Sequence, residues 1–335
     1  MSSFVPPKKC RGSTQKLIAL TKENDGISLK KSQAHNILKD KGQNNVSIHI
    51  GHYLLLKSYF NFLSQKNQEG TFILETQTCT WDASLEQFKR CYVCFSFVKK
   101  FWMNNGCVPL FAVDGSFTTR GIIKHTILFA VSYDGNNELV QLAYCICDNE
   151  SADNWQWFLS KLVYDYPGSF CCLGDFDKGL QSEVQSLLNS NNILFSRCIR
   201  DMQTNCKSNH PIVAGKIRLY ETITMKLTKA RTEELFDLYL EELGEEIGSN
   251  QKEWWSEHRD QYATYYFLSK GVQRYHKVLN DTDQMSTIHK DGRMEPLLPL
   301  LTSINEWNMS KFTIRRNKAI QWVNNKQHLT DYALE

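Results

Sequence analysis

No stretch of this 335-residue chain carries the roughly 20 consecutive apolar residues of a membrane span; its longest apolar runs are strand-sized and interrupted. The first residues, MSSFVPPKKCRG, have no apolar core ahead of a cleavage site, so no signal peptide is read there. An excess of one charge is missing too. With 39 basic and 36 acidic residues the net charge is +3, and any affinity for nucleic acid must come from local patches. Internal repeats and low-complexity tracts are absent. The 11 cysteines are an odd number in a long chain, which argues against a secreted disulfide framework and for reduced thiols in the cytosol or nucleus. Cys91 and Cys94 form one CxxC, but no second CxxC or histidine pair follows at zinc spacing. Within FKRCYVCFSFVKKFW their neighbours suit a buried helix face.

What is present is enough for a large core, since 41% of the residues are hydrophobic and 12% aromatic. Residues 1–28 are polar, with PPKK and glycine breakers, and are expected to be a disordered tail. Residues 29–105 read as a helical N-terminal region, from ISLKKSQAHNILKD through HYLLLKSYFNFLSQK, with lysines interleaved among aromatics. A solvated amphipathic helix and a DNA-contacting module both fit that pattern. TFILETQTCTWD reads as strand and turn, and SLEQFKRCYVCFSFVKKFWMNNG as a helix closed by Gly106.

Residues 106–211 are read as the core. VPLFAVDGSF, KHTILFAVSYD and NELVQLAYCICD are successive strands, the last two joined by the hairpin turn DGNN. SADNWQWFLSKLVYDY follows as a helix with Ser151 or Asp153 at its N-cap. SFCCLGDFDKG is a strand, LQSEVQSLLNS a helix, and NILFSRCIRDM a strand running into polar residues. Three strands, then helix, strand, helix and strand is the element order of a ribonuclease-H-like sheet, one of several α/β architectures compatible with the pattern. Residues 212–275 read as a helical insertion, with i,i+4 charge pairs in KARTEELFDLYLEEL. Residues 276–325 form a final segment ending in a long helix, and 326–335 a tail.

Two acids stand at strand ends: Asp114 in LFAVDGSF and Asp175 in CCLGDFDKGL. If those strands are neighbours, the carboxylates meet. Close carboxylates repel unless a cation lies between them, and Mg²⁺ prefers such hard oxygen ligands. A pair of such ions supports phosphodiester cleavage and strand joining. Taken alone, Asp114–Gly115 also suits a turn and Asp175 a helix cap.

The run from 88 to 161 resembles the Mutator-like element (MULE) transposase family. The likeness is carried by Gly106, Cys107 and Pro109; by Asp114 to Phe117; by Asp134 to Asn137; and by Trp155, Trp157, Phe158 and Leu159. GDFDKGL resembles the family's Ser-Asp-x-x-Lys-Gly-Leu, which makes Asp175 rather than Asp177 the second catalytic acid. The resemblance implies a ribonuclease-H-like mixed five-stranded sheet flanked by helices, with a helical insertion before the last catalytic helix. It also implies cut-and-paste DNA transposition in the nucleus with two Mg²⁺ (or Mn²⁺) ions, acting on element terminal repeats and target DNA. A homo-oligomer is expected, and neither a membrane nor a small-molecule cofactor.

The chain departs from the family at two places. In CIRDMQTNC, Cys198 and Asn205 match a Cys-x-x-His run, but Asp201 replaces the histidine. A carboxylate only accepts hydrogen bonds where an imidazole can donate. For the family's third acid, a glutamate, ungapped counting back from PLLPLLTSINEW gives Asp283, with Asp281 as fallback. Then 61 residues separate Asp114 from Asp175, and 108 separate Asp175 from Asp283. The NDTD around Asp283 also reads as a solvated turn. Lys178, Arg197 and Arg200 lie near the acids in sequence, available to phosphate or as surface charge. No zinc-module Cys/His set occurs before residue 79 or after 206. These departures leave a decayed or domesticated transposase that binds DNA or protein without catalysis as the alternative reading.

Overall fold

The computed structural model describes residues 46–78, 86–118, 124–174, 181–273, 289 and 295–334. In chain order the elements are α1 (Val46–Lys66), β1 (Thr71–Thr78), β2 (Glu86–Cys94), α2 (Ser96–Met103), β3 (Leu110–Phe117), β4 (Thr126–Tyr133) and β5 (Leu139–Cys147). They continue with α3 (Ala152–Asp165), β6 (Phe170–Gly174), α4 (Gln181–Ser190), β7 (Ile193–Arg197) and α5 (Ile199–Asn209). The helical C-terminal region comprises α6 (Ile217–Lys229), α7 (Glu233–Glu246), α8 (Ser249–Glu257), α9 (Thr264–Ser269), α10 (Leu297–Asn324) and α11 (Asp331–Leu334).

The chain is an α/β protein built on one seven-stranded mixed sheet, in the order β1-β2-β5-β4-β3-β6-β7. Pairing is antiparallel from β1 through β3 and parallel along β3–β6–β7. The strands β3 to β7 fall where the alternation of apolar runs and turns puts them. The sheet is larger than five strands because residues 71–94 add β1 and β2. Glu86–Cys94 is therefore a strand, not the start of a helix; only Ser96–Met103 is helical. β2 lies between β1 and β5, and every residue from Arg90 to Cys94 is buried. A strand covered on both faces loses the apolar–polar alternation that marks strands in sequence.

This assignment also decides the CxxC. Residues three apart on a strand point to opposite faces, so Cys91 and Cys94 cannot converge on one ion. Both are buried; the Cys94 thiol lies 3.1 Å from the Tyr166 hydroxyl, and burial pushes the Cys91 thiol up to about 12. All nine described cysteines are reduced and buried.

Helices cover both faces. On one, Asn305 of α10 accepts from the Tyr144 hydroxyl of β5 and donates to the Tyr59 hydroxyl of α1. On the other, Trp157 and Phe158 of α3 pack against Tyr92 of β2. Ser151 caps α3, accepting from the Asn154 amide. At the β4–β5 hairpin, Asp134 accepts from the amides of Asn136 and Glu138, while Asn137 takes a positive φ of 59°. The other carboxylate oxygen of Asp134 accepts from Arg315 at 2.7 Å, fastening the hairpin to α10. Helices α5 to α9 hold a second core around Tyr220, Phe236, Leu243, Trp255 and Tyr262. The acids of α7 pair across helices: Lys226 of α6 with Glu242, and Lys252 of α8 with Glu241.

At the start of β4, His125 is buried, with Nε2 2.6 Å from the Tyr53 hydroxyl and its ring edge-on to Phe88. Burial lowers its pKa to about 4 from an ordinary 6.5. A histidine depressed in the folded state leaves stability intact above pH 6.5 and costs it as the pH falls toward 4, because the unfolded chain takes the proton first. Urea unfolding at pH 7 and pH 4 should show the wild type losing about 3 kcal/mol more than His125→Gln. Equal losses would show that His125 is not the titrating group.

Candidate active site

The candidate site lies where the parallel β3–β6–β7 ladder ends, at the carboxyl ends of β6 and β7. Val113 pairs with Gly174, and Gly174 with Arg197, so these three residues form a row across the parallel part of the sheet. In open α/β sheets the carboxyl ends of parallel strands are where ligands bind. Asp114 follows Val113 directly. It is half-buried, and its Oδ1 accepts from the Gly115 amide at 2.8 Å. Asp114–Gly115 is not a turn: β3 runs on to Phe117, with Asp114 opposite Phe129 and Gly115 opposite Leu128 of β4. The acid at the end of an apolar run is thus a strand residue, preceded by four buried ones.

Asp175 follows Gly174, the last residue of β6, and lies outside the described residues, as do Lys178, Asp281 and Asp283. Arg197 closes β7 and is buried; Arg200, by contrast, is exposed on α5. Cys198 is the buried N-cap residue of α5, and Asp201 falls in that helix's first turn. A negative charge there complements the exposed amides of a helix start, which gives Asp201 a local structural role.

A residue that the sequence reading passed over also reaches this region. Glu150, between β5 and α3, places its Oε1 3.2 Å from where a Cβ on Gly115 would stand. The indole of buried Trp155 donates to the same oxygen at 3.4 Å. Nothing local marks Glu150: its approach to β3 depends on how the start of α3 docks, and the only hint is the glycine after Asp114. The place that a Cβ at 115 would take is thus held by Glu150, on the face of β3 opposite the Asp114 side chain. Among the described residues no cluster of three His, Cys, Asp or Glu side chains is arranged to hold a metal ion.

No protein-family model matches the chain, and no curated protein matches its sequence. None of the described helices is long and apolar enough to cross a membrane.

Proposed function

We propose that the chain is the catalytic core of a Mutator-like DNA transposase, acting in the nucleus on the terminal repeats of its element and on target DNA, and assembling as a homo-oligomer. The reading takes the sheet from β5 to β7 as ribonuclease-H-like. The observation that carries it is the β3–β6 ladder: with Val113 opposite Gly174, the next positions in the two chains are the two acids that the family resemblance singles out. The order β5-β4-β3-β6-β7, with one antiparallel meander and two parallel additions, supports it too.

On this reading Asp114, Asp175 and Asp283 hold two Mg²⁺ or Mn²⁺ ions, with Asp281 the substitute for the third. Such ions supply Lewis-acid stabilisation of the attacking and leaving oxygens. The chain's own part is to set the carboxylates on a rigid strand end. The Gly115 amide fixes one oxygen of Asp114. Arg197, at the end of the neighbouring strand, is the basic residue best placed toward a phosphate; Lys178 and Arg200 are the further candidates. Lysines of α1 are the module for outlying DNA contact. Hydrolysis frees a 3′-hydroxyl, which then attacks the target strand.

The test is cleavage of a supercoiled plasmid bearing the element's terminal repeats, with Mg²⁺, Mn²⁺ or EDTA. Nicks at the repeat ends that require the metal are expected. No product with either metal would sink the catalytic reading and favour a descendant that binds without cutting.

A further inference from the structure

We propose that two copies of this chain join through an exposed row on α10 of one copy and the acidic outer face of α7 on the other. The contact gives form to the homo-oligomer proposed above and does not depend on the chemistry at Asp114. The first part of α10 is core: Leu297, Leu300, Leu301, Ile304, Asn305 and Asn308 are buried, and no residue of the helix is buried after Asn308. From there Met309, Thr313, Arg316, Ile320 and Val323 recur at intervals of four and three, which sets them along one line of the helix. All five are exposed, Val323 at 76% and Ile320 at 47%. Single exposed apolar residues are ordinary, but an aligned row is what a helix presents to another helix. The setting of the row is basic. Between Trp307 and Thr330 stand Lys311, Arg315, Arg316, Lys318 and Lys326, and no acid. Arg315 and Lys318 are engaged by Asp134, Glu138 and Asp331. Arg316, at the centre of the row, forms no ion pair among the described residues.

Helix α7 carries the complement. Its inner face, with Phe236, Leu240 and Leu243, is buried in the second core. Its outer face runs Glu234, Leu238, Glu241 and Glu245, again at intervals of four and three, with Leu238 62% exposed. Asp237 and Glu242 flank that line, and the helix holds no basic residue. Both lines are open to solvent and their helices belong to separate cores, so the two do not meet within one chain. Their lengths agree: the 14 residues of α7 rise about 21 Å, and Met309 to Val323 spans the same distance. Laid antiparallel with Ile320 level with Leu238, the helices bring Val323 level with Leu235 and Arg316 among Glu241, Glu242 and Glu245. Opposite charge favours this pairing over α10 against α10, which would set two basic rows together.

The test is sedimentation velocity of the full chain over a range of concentrations, for wild type, Arg316→Glu, Glu245→Arg and an equal mixture of the two variants. Both side chains are exposed, so the melting midpoint should not move. Wild type should self-associate, and each charge reversal should raise the dissociation constant by about tenfold or more, because like charges then face each other. The mixture should recover the wild-type constant, since each variant offers the other a matched pair. If wild type associates and the reversals leave its constant unchanged, or the mixture stays as weak as its parts, this surface is wrong and the homo-oligomer stands on another. If wild type is a monomer at every concentration, the row belongs to another occupant, and this surface and the homo-oligomer both fall. Metal-dependent nicking then still decides the catalytic reading.

Discussion

Asp114→Asn is expected to lower metal-dependent DNA cleavage by about a thousandfold while moving the melting midpoint by no more than about 2 °C. The substitution is isosteric. Asparagine Oδ1 still accepts from the Gly115 amide, and the β3 ladders to β4 and β6 run through backbone groups that it does not touch. Asp114 is half-buried rather than core, so the fold should tolerate the change to within about 0.5 kcal/mol. What is lost is the negative charge. An ion held by fewer carboxylates stabilises less of the charge that develops in the transition state, and a thousandfold is about 4 kcal/mol of that. The measurement is initial rate of nicking in Mg²⁺, with melting followed by circular dichroism on the same samples. Equal nicking by variant and wild type would remove Asp114 from the chemistry; a large drop in midpoint would make its role structural.

Asp165→Ala should show the opposite pattern: a loss of about 3–5 kcal/mol of stability, with cleavage retained well below the melting midpoint. Asp165, at the end of α3, has a side chain that is 1% exposed, and it accepts from the Tyr92 hydroxyl at 2.9 Å and from Thr71 at 2.8 Å. Lys99 pairs with it at 2.7 Å and is itself largely buried. Removing the carboxylate takes the shared acceptor from an ammonium and two hydroxyls in the core, and this unmet demand is what makes breaking a buried pair costly. Asp165→Asn, which keeps acceptors but drops the charge, should cost less than Asp165→Ala. Urea unfolding of the two variants checks the order; wild-type stability in Asp165→Ala would show that Lys99 finds another partner. The contrast matters because both acids sit at the end of an apolar run in sequence. One lies within a strand just past its buried stretch, the other closes a helix in the core.

The parts of the fold that could be read ahead were those with a marked turn or cap. β4 and β5 are unbroken apolar runs joined by DGNN, and α3 opens on the Ser151 cap. β2 was misread because Phe88, Tyr92 and Phe95 recur at helical spacing while the strand itself is buried on both faces. The position of Asp114, directly after the four buried residues of β3, was legible from the apolar run that precedes it. Glu150 was not, because its nearness to Gly115 is a contact made by the docking of α3, which no short-range pattern encodes.

Asn305, which ties Tyr144 to Tyr59, has a consequence for how the molecule is made. It joins residues 161 and 246 positions away, so α1 and the strands beneath it wait for α10 until that helix leaves the ribosome. At ordinary synthesis rates of about 5–20 residues per second, that is a wait on the order of ten to thirty seconds after β5 is complete. For that interval the Tyr144 hydroxyl, buried in the finished fold, lacks the acceptor that Asn305 later brings.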